Sequence, residues 1–146
     1  MHKILFIAYA ALLTGAVSCS KSDKDNACGG ADSFVLNEPF LLCFGTAAAQ
    51  TGQNFNIKFD NLVEESRCPT DVVCVRAGTA LVALMITHDG VSVTDTLGIG
   101  DVFGTPHSDS VLLDGYKIKL LEVQPIPVST VQSAEADYKI KLLITK

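Results

Sequence analysis

"YKIKLL", residues 116–121, recurs letter for letter at 138–143, and its reading decides the fold. Tyr116, Ile118 and Leu120 alternate with Lys117 and Lys119, and Tyr138, Ile140 and Leu142 alternate with Lys139 and Lys141. A period of two puts each set on its own side of an extended chain, whereas 3.6 residues per turn would scatter both sets around a helix. Each copy therefore predicts a strand with an apolar face in a core and a lysine face in water. Outward lysines also discourage edge-to-edge pairing. The copies lie 22 residues apart, but two copies do not make a stacked array; they read as two similar amphipathic strands. Residues 124–137, "QPIPVSTVQSAEAD", join them. Pro125 and Pro127 lack a ladder donor, so this connection is extended or edge-like.

The same period runs outward from there. In "NFNIKFDNLV", 54–63, Phe55, Ile57 and Phe59 alternate with Asn56, Lys58 and Asp60. "FLLCF", 40–44, is a short apolar strand. "ALVALMIT", 80–87, is apolar on both faces and predicts a central strand. His88-Asp89-Gly90 then turns into "VSVTDTL", 91–97, as a hairpin. Residues 98–109, "GIGDVFGTPHSD", read as loop, and Ala47-Ala48-Ala49-Gln50 as a helical turn cut short by Thr51-Gly52. Short strands, turns and no sustained helical period predict an all-β fold, a single sandwich or small barrel.

The first residues address the chain elsewhere. A basic start at Lys3 precedes "ILFIAYAALL", 4–13, an apolar run of signal-peptide length and too short to span a bilayer, which takes ~20 residues. Small residues then lead to Cys19 in "TGAVSC". Residues 20–27, "SKSDKDNA", have too little apolar surface to order themselves and predict a solvated leash, ~28 Å long at full extension. The expected organisation is a signal peptide over 1–18, a tether over 19–27 and one β domain over 28–146.

Loss of residues 1–18 leaves 128 of the 146, enough for one core, and the formal charge moves from −5 to −6 with the loss of Lys3. An acidic chain without a basic run is a poor partner for nucleic acid. Four cysteines remain beside Cys19: Cys28, Cys43, Cys68 and Cys74. An even number in an exported domain predicts two disulfides. Three pairings are open, and the local closures Cys68–Cys74 and Cys28–Cys43 are favoured, since Cys68-Pro69-Thr70-Asp71 suits a tight turn.

The segment "ESRCPTDVVCVRAG", 65–78, holds the densest chemistry. Structural zinc uses cysteine pairs spaced two to four residues apart, with a second pair or histidines; here five residues intervene, and no second pair is present. A redox pair has a two-residue gap at a helix start. Neither pattern is met, so a staple is the expected role.

Two resemblances follow from these residues. Ala16-Val17-Ser18-Cys19 resembles the lipobox of bacterial lipoproteins, although Ala16 stands where leucine is commonest. It implies a diacylated Cys19 as the first mature residue. Ser20 after that cysteine, and acidic residues soon behind it, resemble outer-membrane lipoproteins and the surface lipoproteins of the Bacteroidetes. "SRCPTDVVCVRAG" also resembles the "DSRCP…CVWAG" segment of a group of small exported bacterial β-proteins, which share a late strand like "GYKIKLLEVQPIPV". That resemblance covers roughly residues 55–146 and carries over no activity. Arg76 stands where the group has tryptophan.

Other candidates are thinner. His88 beside Asp89, and His107 near Asp109, have the residue types of a metal pair. His107, Asp109 and Ser108 or Ser110 have those of a triad, yet triad members converge from separate segments. Glu64 and Glu65 are adjacent, so on a strand they diverge. The leading expectation is a lipid-anchored, disulfide-stapled envelope module without catalytic activity, metal or cofactor. It would be held to the membrane through Cys19, facing another envelope protein. The alternatives are a small protease inhibitor presenting a constrained loop at 69–73 or 98–109, and a metal-binding protein or metal-dependent enzyme using His88 and His107.

Overall fold

The computed structural model describes residues 28–102 and 106–146. The expected signal peptide, Cys19 and the leash lie outside the described residues. Among the described residues nine strands follow in chain order: β1 (Ser33–Phe34), β2 (Phe40–Cys43), β3 (Ala47–Gln50), β4 (Phe55–Glu65), β5 (Thr79–His88), β6 (Val91–Gly100), β7 (Ser110–Leu113), β8 (Tyr116–Gln124) and β9 (Lys139–Thr145). They form two sheets, of order β1-β3-β4-β5-β6 and β2-β9-β8-β7. Apart from the parallel pair β1–β3, every neighbouring pair is antiparallel. The architecture is the all-β sandwich that the alternation predicts.

The two repeat copies pair with each other. Ile118 lies opposite Ile144 and Leu120 opposite Leu142. All four are at most 1 % exposed, so the apolar face of each copy is core. A register shift between Leu120 and Glu122 inserts one residue. Leu121 stays on the outward side, and the phase changes after it, so that Val123 and not Glu122 is returned to the core, as a bulge requires. In the other sheet, Phe55, Ile57 and Phe59 of β4 and Val82, Leu84 and Ile86 of β5 meet this face. Two further shifts, between Phe59 and Asn61 and between Leu62 and Glu64, end the simple alternation of β4 and leave Val63 exposed.

Strand β5 lies inside its sheet, with Ala80 through Leu84 buried on both faces. On the outer face Leu81 reaches the space beside Gly98, where Val102 also packs. The hairpin is closed by Asp89 and Gly90, both at positive φ, the primed turn that matches strand twist.

Two expectations are corrected. Ala47–Gln50 is strand β3 and not a helical turn. It is held between β1 and β4, and that pairing overrides the helix preference of alanine. Residues 98–100 belong to β6 and not to a loop; Gly98 N–H donates to the Ser108 carbonyl at 2.9 Å, which draws the chain before β7 alongside β6.

Candidate functional site

Antiparallel pairing sends β4, β6 and β8 toward one end of the sandwich and starts β5 and β9 there. Two irregular segments, 66–78 and 125–138, cover that end. The first is shaped by its own backbone. Ser66 N–H donates to the Thr79 carbonyl at 2.8 Å, and Cys68 N–H to the Ala77 carbonyl at 2.7 Å. Between these rungs Gly78 has φ +72°, and a Cβ there would lie 1.8 Å from the Ser66 carbonyl oxygen. Only glycine fits on both counts. The loop is closed by the Cys68–Cys74 disulfide, with Cα atoms 5.9 Å apart, so the staple expected from spacing is present.

Arg67 ties this loop to the second segment. Its Nε donates to Glu65 Oε1 at 2.8 Å and its Nη2 to Glu65 Oε2. Nη1 donates to the Val123 carbonyl at 2.7 Å, and Nη2 also donates to the Pro125 carbonyl at 2.9 Å. The side chains of Arg67 and Glu65 are only 12 % and 14 % exposed. A charge so nearly buried persists only when paired and hydrogen-bonded, and here the guanidinium fork meets a carboxylate and two carbonyls together. Further out, Thr70 N–H donates to the Pro127 carbonyl at 3.0 Å. Asp71 accepts the Ser129 N–H at 2.8 Å and the Ser129 hydroxyl, and these bonds hold the Asp71 carboxyl below its ordinary pKa. The two segments thus form one supported platform.

Beside the clamp lies a groove of about 300 Å³ lined by Leu62, Glu65, Pro127, Val131, Ser133 and Tyr138 among others. Burial, and then the negative Glu65, push the Tyr138 hydroxyl above the usual phenol range. On the outside of the platform, Val73 and Val75 are 101 % and 105 % exposed, and Val72, Ile126, Val128 and Val131 are also exposed. Scattered single apolar residues need no explanation, but here six stand on two segments that hydrogen bonds join.

The described chain also begins at this end. Cys28 is bonded to Cys43 with Cα atoms 6.1 Å apart, Cys43 lies opposite Lys139, and Cys28 shares a recess with Ala136, Asp137 and Lys139. Both local disulfide closures favoured from the sequence are therefore present, and two disulfides suit a protein made for a compartment outside the cytoplasm.

The remaining candidates fall elsewhere. His88 lies at the opposite end, its Nδ1 3.0 Å from Asp114 Oδ2 and its ring 5.3 Å from that of Tyr116. His107 precedes Ser108, which bonds Gly98 opposite Leu81. His88 and Leu81 are seven residues apart on one strand, roughly 23 Å, so the fold does not bring the two histidines together. Among the described residues no group of three His, Cys, Asp or Glu side chains could hold a metal ion. Asp109 pairs with Lys119 at 3.2 Å, and Ser108 Oγ accepts the Ser110 N–H at 3.4 Å. Glu64 takes the Ser66 hydroxyl at 2.7 Å while Glu65 holds Arg67, so the adjacent carboxylates do diverge. Arg76 is exposed.

No family model, curated protein or solved structure matches this chain. The exposed valine set was not foreseen from the sequence, although its signal is there: "DVVCV" inside a cysteine-closed loop and "PIPV" between strands place apolar residues where turns are normally polar.

Proposed function

We propose that this protein is a non-catalytic binding or accessory module of the cell envelope, held in the outer membrane by lipid on Cys19, with the stapled end as its contact surface. The observation that supports this reading most is the platform itself. Disulfide, Arg67 clamp and Asp71–Ser129 tie brace the segments that carry an exposed apolar set, while Glu65, Arg67 and Asp71 are engaged in structural bonds. Pre-organised surfaces of this kind bind with little ordering cost. The anchoring half is tested with labelled palmitate: wild type should incorporate it and fractionate with membranes, and Cys19→Ala should do neither. Label-free wild type, or membrane-bound Cys19→Ala, overturns the anchor.

A protease inhibitor is the second reading, favoured by the full exposure of Val73 and Val75 next to the bridge. It requires tight, stoichiometric inhibition of a serine protease that cleaves after small apolar residues, abolished by Val73→Asp.

A further inference from the structure

Resting on that lipid-anchored reading, we propose that the valine set of the stapled end docks on the bilayer that carries the anchor, so that the domain sits with this end down.

The first ground is where the chain enters. Cys28, fixed through Cys43 beside Lys139, lies at the stapled end. Only residues 20–27 separate it from Cys19. Eight residues reach at most ~28 Å at full extension. The lipid would therefore keep this end within that reach of the membrane, and a second contact there becomes an intramolecular event at raised effective concentration.

The second ground is the shape of the set. Val72, Val73 and Val75 are exposed on one segment and Ile126, Val128 and Val131 on the other. Thr70–Pro127 and Asp71–Ser129 bonds join the segments, so the two sets are carried on one tied unit. Valine loses little rotamer freedom when buried. The opposite end also exposes apolar groups, Val91, Val93 and Leu112, but the tether does not end there.

The third ground is charge. The mature chain is acidic and is not drawn to anionic lipid by electrostatics, so docking must be apolar, short-ranged and insensitive to salt. Arg76, exposed next to Val75, can lay its stem along the apolar layer with its guanidinium at the phosphates.

The chain contains no tryptophan, so Val73→Trp and Leu112→Trp each create a single reporter in the full lipidated protein. Both are reconstituted in phosphatidylethanolamine vesicles, with and without brominated acyl chains. Val73→Trp is expected to emit blue-shifted light that bromine quenches, at low and high salt alike, and Leu112→Trp neither. Because tryptophan itself seeks the interface, hydrogen exchange is read as well. Amides 70–77 should be protected on vesicles in the wild type, and Val73→Asp/Val75→Asp should lower the docked population about tenfold per valine lost. Equal exchange in the two proteins, or unquenched red emission from Val73→Trp, overturns docking when mass spectrometry finds lipid on Cys19, and leaves the anchor standing. Absence of that lipid overturns the anchor and docking together. Blue emission that appears only after envelope proteins are added assigns the surface to a protein partner and also overturns docking.

Discussion

The two copies of YKIKLL run in opposite directions, and their tyrosines therefore reach opposite ends of the sandwich. Tyr116 packs 4.6 Å from the Phe55 ring and 5.3 Å from His88, with Lys146 Nζ 4.5 Å over its face. Tyr138 lies at the stapled end beside Glu65 and the groove. At the first end the chain reverses through Asp89-Gly90 and Asp114-Gly115, all four at positive φ. Turns of that kind follow strand twist and need nothing else to hold them. At the second end two long irregular segments have only a few backbone rungs of their own, so they rest also on a disulfide, a nearly buried arginine and a carboxylate tie. The turns of one end are set by local backbone preference, whereas the segments of the other depend chiefly on long-range bonds. Cutting a tie should therefore damage the ends unequally.

The largest difference is expected at Arg67. Arg67→Ala leaves Glu65 as an unpaired, nearly buried charge and frees the Val123 and Pro125 carbonyls, a loss of about 3–5 kcal/mol. His88→Ala, at the other end, removes ring contacts and a hydrogen bond with an exposed Asp114, about 1 kcal/mol. Denaturant melts of both proteins measure this directly, and equal losses would end the distinction between the two poles.

Glycine substitutions come next. Gly78→Ala meets both an unfavourable φ and the Ser66 carbonyl, about 2–5 kcal/mol in sum. Gly90→Ala has open space around its Cβ and meets only the φ penalty, about 1–2 kcal/mol. Thermal unfolding of the pair sharpens the comparison, because backbone conformation is common to both and crowding is not.

The disulfides rank below these. Chain-entropy arguments give about 3 kcal/mol for Cys28→Ala/Cys43→Ala and about 2 kcal/mol for Cys68→Ala/Cys74→Ala, whose loop is shorter. Both double variants should still fold on the remaining core. A reversed order, or an effect of chelators on the wild type, would show that closure of the unfolded chain is not what the bridges contribute.

The smallest effect concerns Asp71. Its folded pKa is below the ordinary 3.8 because Ser129 donates to the carboxylate twice. A carboxyl of depressed pKa stabilises above its unfolded value and loses that contribution as pH falls through the folded one. The Ser129 amide resonance should thus move with a midpoint under 3.8 in the wild type and stay still in Asp71→Asn. Resonances of residues 89 and 90 should not follow it. A midpoint at or above the ordinary value would mean that the tie is absent in solution.

Much of the fold was legible because alternation is a local property. Ile118, Leu120, Ile140 and Leu142 declare their face in six letters, and Asp89-Gly90 declares its turn. Cys68 and Cys74 are near enough in sequence that a turn at Pro69 suffices to join them. The alanines of β3 misled because helix preference is weak beside pairing on both edges. The three register shifts were hidden, since a bulge changes which side chain faces inward without changing composition. Nothing in the sequence distinguishes Arg67, a buried clamp, from Arg76, an exposed neighbour nine residues on. That difference is made by carbonyls of residues 123 and 125, which strand pairing alone brings within reach. Periodicity, turn chemistry and cysteine spacing act over a few bonds, so the sequence by itself determined the class of fold, the hairpin and the staple. The convergence of 66–78 with 125–138, and the valine set it holds outward, depend on which strands pair and in which direction, and the tertiary structure alone decided them.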